Sequence, residues 1–551
     1  MTLPDGGNIA WPPKQFQDYF DMLDVYNDWY VGDVERLQVE YQQRPITHRG
    51  QFNGGIVGWG TRAWLGKPPT PGEGRSRLHI PLAADIATLS ADYLFGEAPR
   101  VVLPGDRTRA QEGAPQSERD RLQDRVEKVI NTSRFHSLLL EGGEVAAALG
   151  GVYLRLVWDP ETLSTVRAEV VHTDAAVPKF KFGDLSSVIF WSELDNSDDD
   201  KHVWRHLEEH RPGEIEHALF KGDDAHLGQR VPLDERPDTA WLAPLVNSDS
   251  VLLTGVTGLT AAYVPNMRPN KLFRKLGHLA LLGQSDFADI TQLFDAVDET
   301  WSSWMRDIRI AKARIVVAKE YLQSGGFGQG ATFDYDREVY EGMNALTDAA
   351  GNAFGFHAHQ FQIRTQEHSD TVRDLREQAM RSAGWTPASA GGEAQGVRTA
   401  TEVHADERLS DRTRDKKINY WKTLTPFFLT WLQLDAVVYG LTPPKEEPEF
   451  RFPAESQVDV EKMARTTAAL RQADAASVET AVRMNHPDWD GETVNTEVER
   501  IYKEKGIGTA ADPTKVTGLP NTEPTAADIA RMRDRMAREV VGEPTPDPED
   551  A

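Results

Sequence analysis

Between Ser285 and Ile308 the chain carries Ile290, Phe294, Val297, Trp301, Trp304 and Ile308 at successive spacings of four, three, four, three and four. That recurrence fits one face of a helix and no extended structure. A helix this short is marginal in water unless its apolar face is covered. Two covers are open: another part of the same subunit, or a neighbouring copy in an assembly. Arg306, Arg309, Lys312 and Arg314 crowd the end of the helix, where cations also suit the helix dipole.

Composition narrows the classes. With 61 Lys and Arg against 86 Asp and Glu, the formal charge is −25. An acidic total argues against a protein that coats DNA, because phosphate affinity comes from clustered cations, but not against one that lets DNA slide past. The 551 residues contain no cysteine. Disulfides, thiolate zinc sites, iron–sulfur clusters and cysteine nucleophiles are therefore excluded. The length suggests about three or four packing units. The N-terminus has neither a basic region nor an apolar core of signal-peptide type, so the expectation is assembly in the cytoplasm. The most apolar long window, Leu424 to Leu441, is interrupted by Pro426, Gln433 and Asp435. It predicts a buried helix rather than a membrane span.

Along the rest of the chain the pattern alternates between helix and strand. Phe16, Phe20, Leu23 and Tyr30 fall near helical spacing, as do Leu82, Ile86, Leu89 and Tyr93, which run to a stop at Gly96 and Pro99. A polar loop over residues 104–120 leads into the predicted helix ERDRLQDRVEKVI. From Gly151 to about Lys221, the runs VYLRLVW, RAEVVHT, SSVIFWSEL, HVWRHLEEH and EIEHALF, broken by turn residues, predict antiparallel hairpins. The DNSDDD run invites a calcium loop, but the sixth-position glycine is missing and a solvated turn competes. After the periodic helix, RIVVAKEYL and HQFQIRTQ predict strands around a glycine-rich hairpin containing Gly326, Gly328 and Gly330. EHSDTVRDLREQAMRSAG predicts a helix with Asp370 suited to capping, followed by the small-residue loop WTPASAGGEAQGV. A long helix is predicted from about Thr399 to Tyr439. Its first half is charged all round, so it either bridges solvent or packs on charged surfaces, and Pro426 should kink it. Shorter helices are expected around 458–471, 477–484, 492–505 and 526–540, before a disordered acidic tail, PTPDPEDA.

Signatures of chemistry are missing. Gly66-Lys67 is followed by Pro68 and fails as a nucleotide cradle, there is no HExxH helix, and no G-x-S-x-G elbow appears. HPDWD at His486 to Asp490 admits a metal reading but is also an ordinary helix-initiating turn. The expectation is no enzyme, no metal and no cofactor. Paired carboxylates of an acidic carbohydrate-active enzyme stay open as an alternative.

The order of segments resembles the portal proteins of tailed bacteriophages, the siphovirus type found in phages of actinobacteria. Four colinear stretches carry the resemblance: HIPLAADIATLSADYLFGEAPRV; YVPNMRPN followed by QSDFADITQLFDAVDETWSSWMRDIRIAKARIVV; the region from His368 to Tyr439 containing TATEV and ERLSDRTRDKKINYW; and ASVETAVRMNHPDWDGETVNTEVERIYKE. Together they span most of the chain from about Leu78 to Lys505.

The resemblance implies an α+β ring subunit, with an antiparallel β/helical wing, a two-helix stem, a small α/β clip and a helical crown. Residues 1–284 would be N-terminal helices and wing, 285–309 the first stem helix, 310–366 the clip and 367–383 the second stem helix. Residues 384–398 would be a tunnel loop, with Trp385, Thr386, Pro387, Ser389, Glu393, Gln395 and Arg398 as its candidate residues. Residues 399–449 would be a long kinked wing helix with its connector, and 450–551 the crown with its tail. It further implies a homo-oligomeric ring of about twelve copies at the capsid vertex of a virion, passing double-stranded DNA during packaging and ejection. The partners implied are the terminase large subunit, a head-completion adaptor, and major capsid and scaffolding proteins. Ile290, Phe294, Val297, Trp301, Trp304 and Ile308 would pack the stem, and Arg306, Arg309, Lys312 and Arg314 would form a basic cluster at the stem–clip junction. A different large virion or scaffold subunit, without a tunnel, is the alternative closest to this reading.

Overall fold

The computed structural model describes residues 3–42, 77–104, 117–195, 201–310, 314–316, 323–324, 331–332, 357–359, 364–387, 400–453, 460–486, 489 and 491–505. The chain divides into two compact units, Met1–Pro453 and Ala454–Ala551. Helices and antiparallel sheets are both present, which makes the class α+β.

The first unit opens with strand β1 (Gly6–Ala10) and helices α1 (Gln17–Val31) and α2 (Val34–Gln42). Helix α1 buries Tyr19, Phe20, Leu23, Tyr26 and Trp29 on one face and ends where Gly32, at φ 69, donates its N–H to Asp28 O. Helix α3 (Leu82–Phe95) lies near α5 (Ser133–Leu149), with strand β2 (Arg100–Val102) and helix α4 (Glu118–Val129) between them in sequence. Ser117 and Thr132 cap α4 and α5 by accepting from Asp120 N and Phe135 N.

The hairpin region forms two sheets. Strands β3 (Gly151–Val157), β4 (Arg167–His172) and the later β11 (Ala261–Pro265) pair in the order β11-β3-β4. The seven-stranded sheet runs β1-β9-β8-β7-β6-β5, from β5 (Ala176–Lys181) through β6 (Asp184–Glu193), β7 (Val203–Arg211) and β8 (Glu214–Gly222) to β9 (His226–Val231), and β10 (Val251–Leu253) also pairs with β8. On its second face Trp204, Leu219, Leu233 and Leu242 make a separate small core. Coverage of both faces explains why β7 buries Leu207, Glu208, Glu209 and His210 in succession rather than alternately.

Helix α5 ends at Gly150, with φ 84, against the chain that enters the periodic helix. A Cβ on Gly283 would stand 1.9 Å from Gly150 O, and one on Gly150 would stand 2.9 Å from Gly283 O. Only glycine permits this backbone-to-backbone approach. The periodic helix itself is α6 (Thr291–Ile310), and Ser285 to Ile290 form the turn before it. Strands β12 (Arg314–Val316) and β15 (His357–His359) pair, as do β13 (Gln323–Ser324) and β14 (Ala331–Thr332), which fits the expected hairpin. Helix α7 (Thr365–Ala383) follows.

Three expectations need correction. Of HQFQIRTQ, His359 ends β15, residues 360–363 lie outside the described residues, and Thr365 and Gln366 belong to α7. Asp370 lies inside that helix, accepting from Gln366 Nε2 at 3.1 Å and pairing with Arg373, so it caps nothing. The predicted long helix is two: α8 (Ala400–Trp421) and α9 (Thr425–Val438), joined by a tighter turn at Lys422–Leu424. Pro426 sits in the first turn of α9, where its missing N–H leaves no helical bond unmade. It starts a helix instead of kinking one.

Strand β16 (Glu449–Arg451) pairs with β2, and Phe450 packs against Phe428 and Phe452 at 4.9 and 4.7 Å between ring centroids. Phe450 therefore belongs to the first unit, and the boundary expected at 450 falls after Pro453. The second unit contains α10 (Val460–Gln472), α11 (Val478–Asn485) and α12 (Gly491–Glu504), with Val478, Val482 and Val494 as its core. The segment 526–540 and the acidic tail lie outside the described residues.

Replacing Gly283 with Ala forces a methyl group onto the Gly150 carbonyl. The expected cost is about 3 kcal/mol, read as a lowered urea midpoint. An unchanged midpoint would mean that the two backbones can separate freely.

Candidate oligomer interface and channel elements

Helix α6 is held in two different ways along its length. Its start is packed inside its own subunit: Ile290, Phe294 and Val297 are buried, and Phe294 lies 5.6 Å from the Trp29 ring and 5.7 Å from that of Phe287. Residues 77–80 then cross the helix as a strap. Arg77 pairs with Asp295 while its guanidinium sits 4.6 Å above the Tyr41 ring. The Leu78 N–H donates to Ser302 Oγ at 2.9 Å. The buried Asp298 carboxylate accepts from Tyr41 OH at 2.7 Å, from His79 Nδ1 at 2.9 Å and from the Ile80 N–H at 2.9 Å. A carboxylate oxygen only accepts, so His79 carries its proton on Nδ1. Burial, and then the hydrogen bond to Asp298, push the Tyr41 hydroxyl well above its usual range, which keeps it a neutral donor.

The second half of α6 is different. Trp301 and Trp304 are only partly covered, their rings edge to face at 5.2 Å, and Ile308 is 41% exposed. The cover they have comes in part from the start of α7. His368 stacks on Trp304 at 6.1 Å, and Asp307 accepts from His368 Nε2 at 3.0 Å and Arg364 Nη2 at 2.9 Å. Those two contacts, His368 first, hold the Asp307 carboxyl below its ordinary pKa. The six-residue stripe thus divides: three residues are core, and three lie on a face that a single copy leaves partly open. Arg306 is exposed on that half. The side chains of Arg309, Lys312 and Arg314 lie outside the described residues, so the basic cluster is located only at Arg306.

The expected tunnel loop begins differently from its prediction. Helix α7 ends on Gly384 at φ 91, with Gly384 N–H donating to Arg381 O and Trp385 N–H to Met380 O. This paired closure uses glycine where a left-handed residue is required. Trp385 and Thr386 are then buried: the Trp385 ring lies 5.3 Å from Tyr93, and the Thr386 N–H donates to Ser410 Oγ at 3.0 Å. Thr413 Oγ1 donates to Gly384 O at 2.8 Å. Trp385 and Thr386 are therefore buried inside the subunit as anchors to α8. Pro387 is partly covered. Ser389, Glu393, Gln395 and Arg398 lie outside the described residues.

Sequence reasoning missed the polar groups that position these elements. Asp286, at the entry to α6, and Lys417, on α8, form a buried ion pair, and Ser90 on α3 accepts from the same ammonium. The signal was present as Ser410, Thr413, Lys417 and Trp421, recurring at helical spacing with small residues facing inward. Among the described residues no group of His, Asp and Glu is arranged to hold a metal ion, and no helix is long and apolar enough to cross a membrane. His486 stacks on Trp489 at 3.8 Å.

No family model and no curated protein matches the chain. One similar solved structure is the neck of an empty GTA particle computed with C6 symmetry. It is 12% identical, covers 82% of this chain and 98% of its own, and has a TM-score of 0.37. That likeness is too loose to place any residue.

Replacing Asp298 with Ala orphans three donors beneath the strap. The expected loss is about 2–4 kcal/mol, with amide exchange rising first over residues 77–80. Unchanged stability and exchange would show that the strap is held by something other than this carboxylate.

Proposed function

We propose that the chain is a portal subunit, a non-enzymatic building block of a ring that conducts double-stranded DNA into a procapsid and out again. The observation that carries the proposal is the division of α6. Its first half is clamped into the subunit, while Trp301, Trp304 and Ile308 continue the same stripe onto an incompletely covered face. Large aromatics in that position gain most by packing against a neighbouring copy, and a repeated face of this kind closes into a ring. The four colinear stretches that resemble portal proteins point the same way. In this reading α6 and α7 are the two stem helices and the segment after Pro387 is the tunnel loop. The second unit is the crown, and the terminase, head-completion adaptor, capsid and scaffolding proteins dock on the ring in turn. Arg306, Arg309 and Lys312 would place a sparse ring of cations around the channel.

Native mass spectrometry with negative-stain imaging tests the ring. The expected result is a discrete species of about a dozen subunits with a central hole. Trp301→Ser with Trp304→Ser should abolish that species while lowering the stability of the single subunit by only about 1–2 kcal/mol. A variant that still closes into rings removes the stripe from the interface, and a chain that stays monomeric at high concentration even with scaffold present contradicts the portal reading. Neutralising Arg306, Arg309 and Lys312 together should change packaging rate or packaged DNA length. If both stay as they were, the cations have no role in the channel.

A further inference from the structure

The two sheets of the first unit meet at a group of titratable side chains that none of the elements above uses. Arg155, on β3 of the smaller sheet, pairs with Glu208 on β7 of the larger one, and also with Glu169 on β4 at 3.1 Å. Glu208 stands opposite His217 of β8 in the strand register, and His217 Nδ1 lies 3.9 Å from Glu208 Oε2. The same His217 Nδ1 is 3.2 Å from His206 Nε2, with the two rings within 6° of parallel. His210 closes the group. Its Nδ1 is 2.7 Å from Thr260 Oγ1 and its Nε2 is 3.6 Å from Glu208 Oε1, too long for a hydrogen bond. From β6 the uncharged Phe190, Val188 and Ser192 stand opposite Glu208, His210 and His206 in the register, with the Phe190 ring 5.2 Å from that of His210. His210, His217 and Glu208 are almost wholly enclosed.

Two imidazole nitrogens at this distance share one proton, donated by one ring and accepted by the other. When both rings become imidazolium, N–H faces N–H and the bond is lost. Two new cations then stand beside Arg155, competing with it for Glu208.

We propose that the His206–His217 pair is an acid-triggered release for the contact between the two sheets: full protonation of the pair breaks its hydrogen bond and frees the β7–β8 hairpin from β3 and β4. Burial pushes the His217 ring down to about 4 against the pull of Glu208. His206 is lowered likewise, by burial first. Burial alone would raise the Glu208 carboxyl, but the neighbouring His210 and Arg155 outweigh it, so Glu208 stays charged through the same range. The folded chain therefore binds fewer protons than the unfolded chain between about pH 6.5 and pH 4. Stability from the cluster is complete above that window and is lost as pH falls through it.

The cluster acts within one copy, so its test is independent of ring formation. Hydrogen–deuterium exchange of the full chain is compared at about pH 7.5 and about pH 5, corrected for intrinsic exchange. Opening of residues 203–222 should increase on the order of tenfold at the lower pH, with α5 little changed. His217→Gln keeps an amide that donates and accepts but does not titrate, and it should remove most of that increase. A wild-type profile without local acid sensitivity overturns the proposal, as does His217→Gln with the wild-type response. If that variant does not fold, His206→Gln applies the same criterion.

Discussion

A lysine ammonium cut off from water ties the larger unit together. Lys417 Nζ lies 2.5 Å from Asp286 Oδ2, 2.7 Å from Ser90 Oγ and 5.2 Å from the Trp385 ring centroid. Burial pushes its pKa down, and Asp286 pulls the other way. Two buried charges recover their lost hydration only when every partner is in place. Asp286 meets that condition, since its other oxygen accepts from Asn266 Nδ2 at 2.7 Å and its own N–H donates to Ala147 O. The interaction therefore fixes four segments at once: α3, the end of α5, the entry to α6 and the start of the loop after α7. A lysine that packed in any other register would be an uncompensated charge.

From that point the rest of the helical architecture follows. The entry to α6 is set by Asp286, and the strap over Asp295 and Asp298 holds the next two turns. Beyond Ser302 neither restraint reaches, and among the described contacts the start of α7 holds the helix through His368 and Arg364. Helix α7 is in turn tied at its far end, through Gly384 and Trp385, to the same α8 that carries Lys417. The start of α6 and the end of α7 are thus fixed in the subunit, and the end of α6 meets the start of α7. An element anchored this way keeps its direction without being buried along its whole length. A face that must stay available to a neighbour needs that property.

The parts of this arrangement that could be read from the sequence are those set by periodicity. The stripe of α6, the stop at Gly96 and the hairpins of the larger sheet follow from spacing and turn residues, which act locally. The reading failed where a long-range contact decided the outcome. Helix α8, the first half of the predicted long helix, looks charged all round because Arg408, Asp411 and Arg414 dominate the count. What decides its packing is the sparser set of Ser410, Thr413 and Lys417, and the worth of Lys417 depends on a carboxylate 131 positions away. Trp385 looked like the first residue of an exposed loop because small residues follow it, and only the closure on Met380 shows that it turns inward. Glu208 and His217 carry no local signal, since their pairing exists only in the register of two strands.

The same buried pairs bear on the charge of the surface. Arg125 grips Asp435 through two bonds of 2.7 and 2.8 Å, Arg155 is held by Glu208 and Glu169, and Lys417 by Asp286. Arg205 and Arg414 turn inward to backbone carbonyls, those of Asp223 and Tyr93 among them. Cations placed inside to hold the fold are not available to phosphate, but the carboxylates that pair with them are buried too, so the acidic character of the surface follows from the −25 total of the chain. Arg306 on α6 and Arg376 on α7 are among the cations left exposed. A duplex carries one charge per roughly 1.7 Å of its axis, and a surface of mostly acidic groups repels it at every step. In the proposed ring a few exposed arginines would then act as brief contacts against a repulsive background, which favours centring and passage over retention. The weak hold expected of the proposed channel thus follows from the acidic total of the chain, with the internal ion pairs removing cations and carboxylates together.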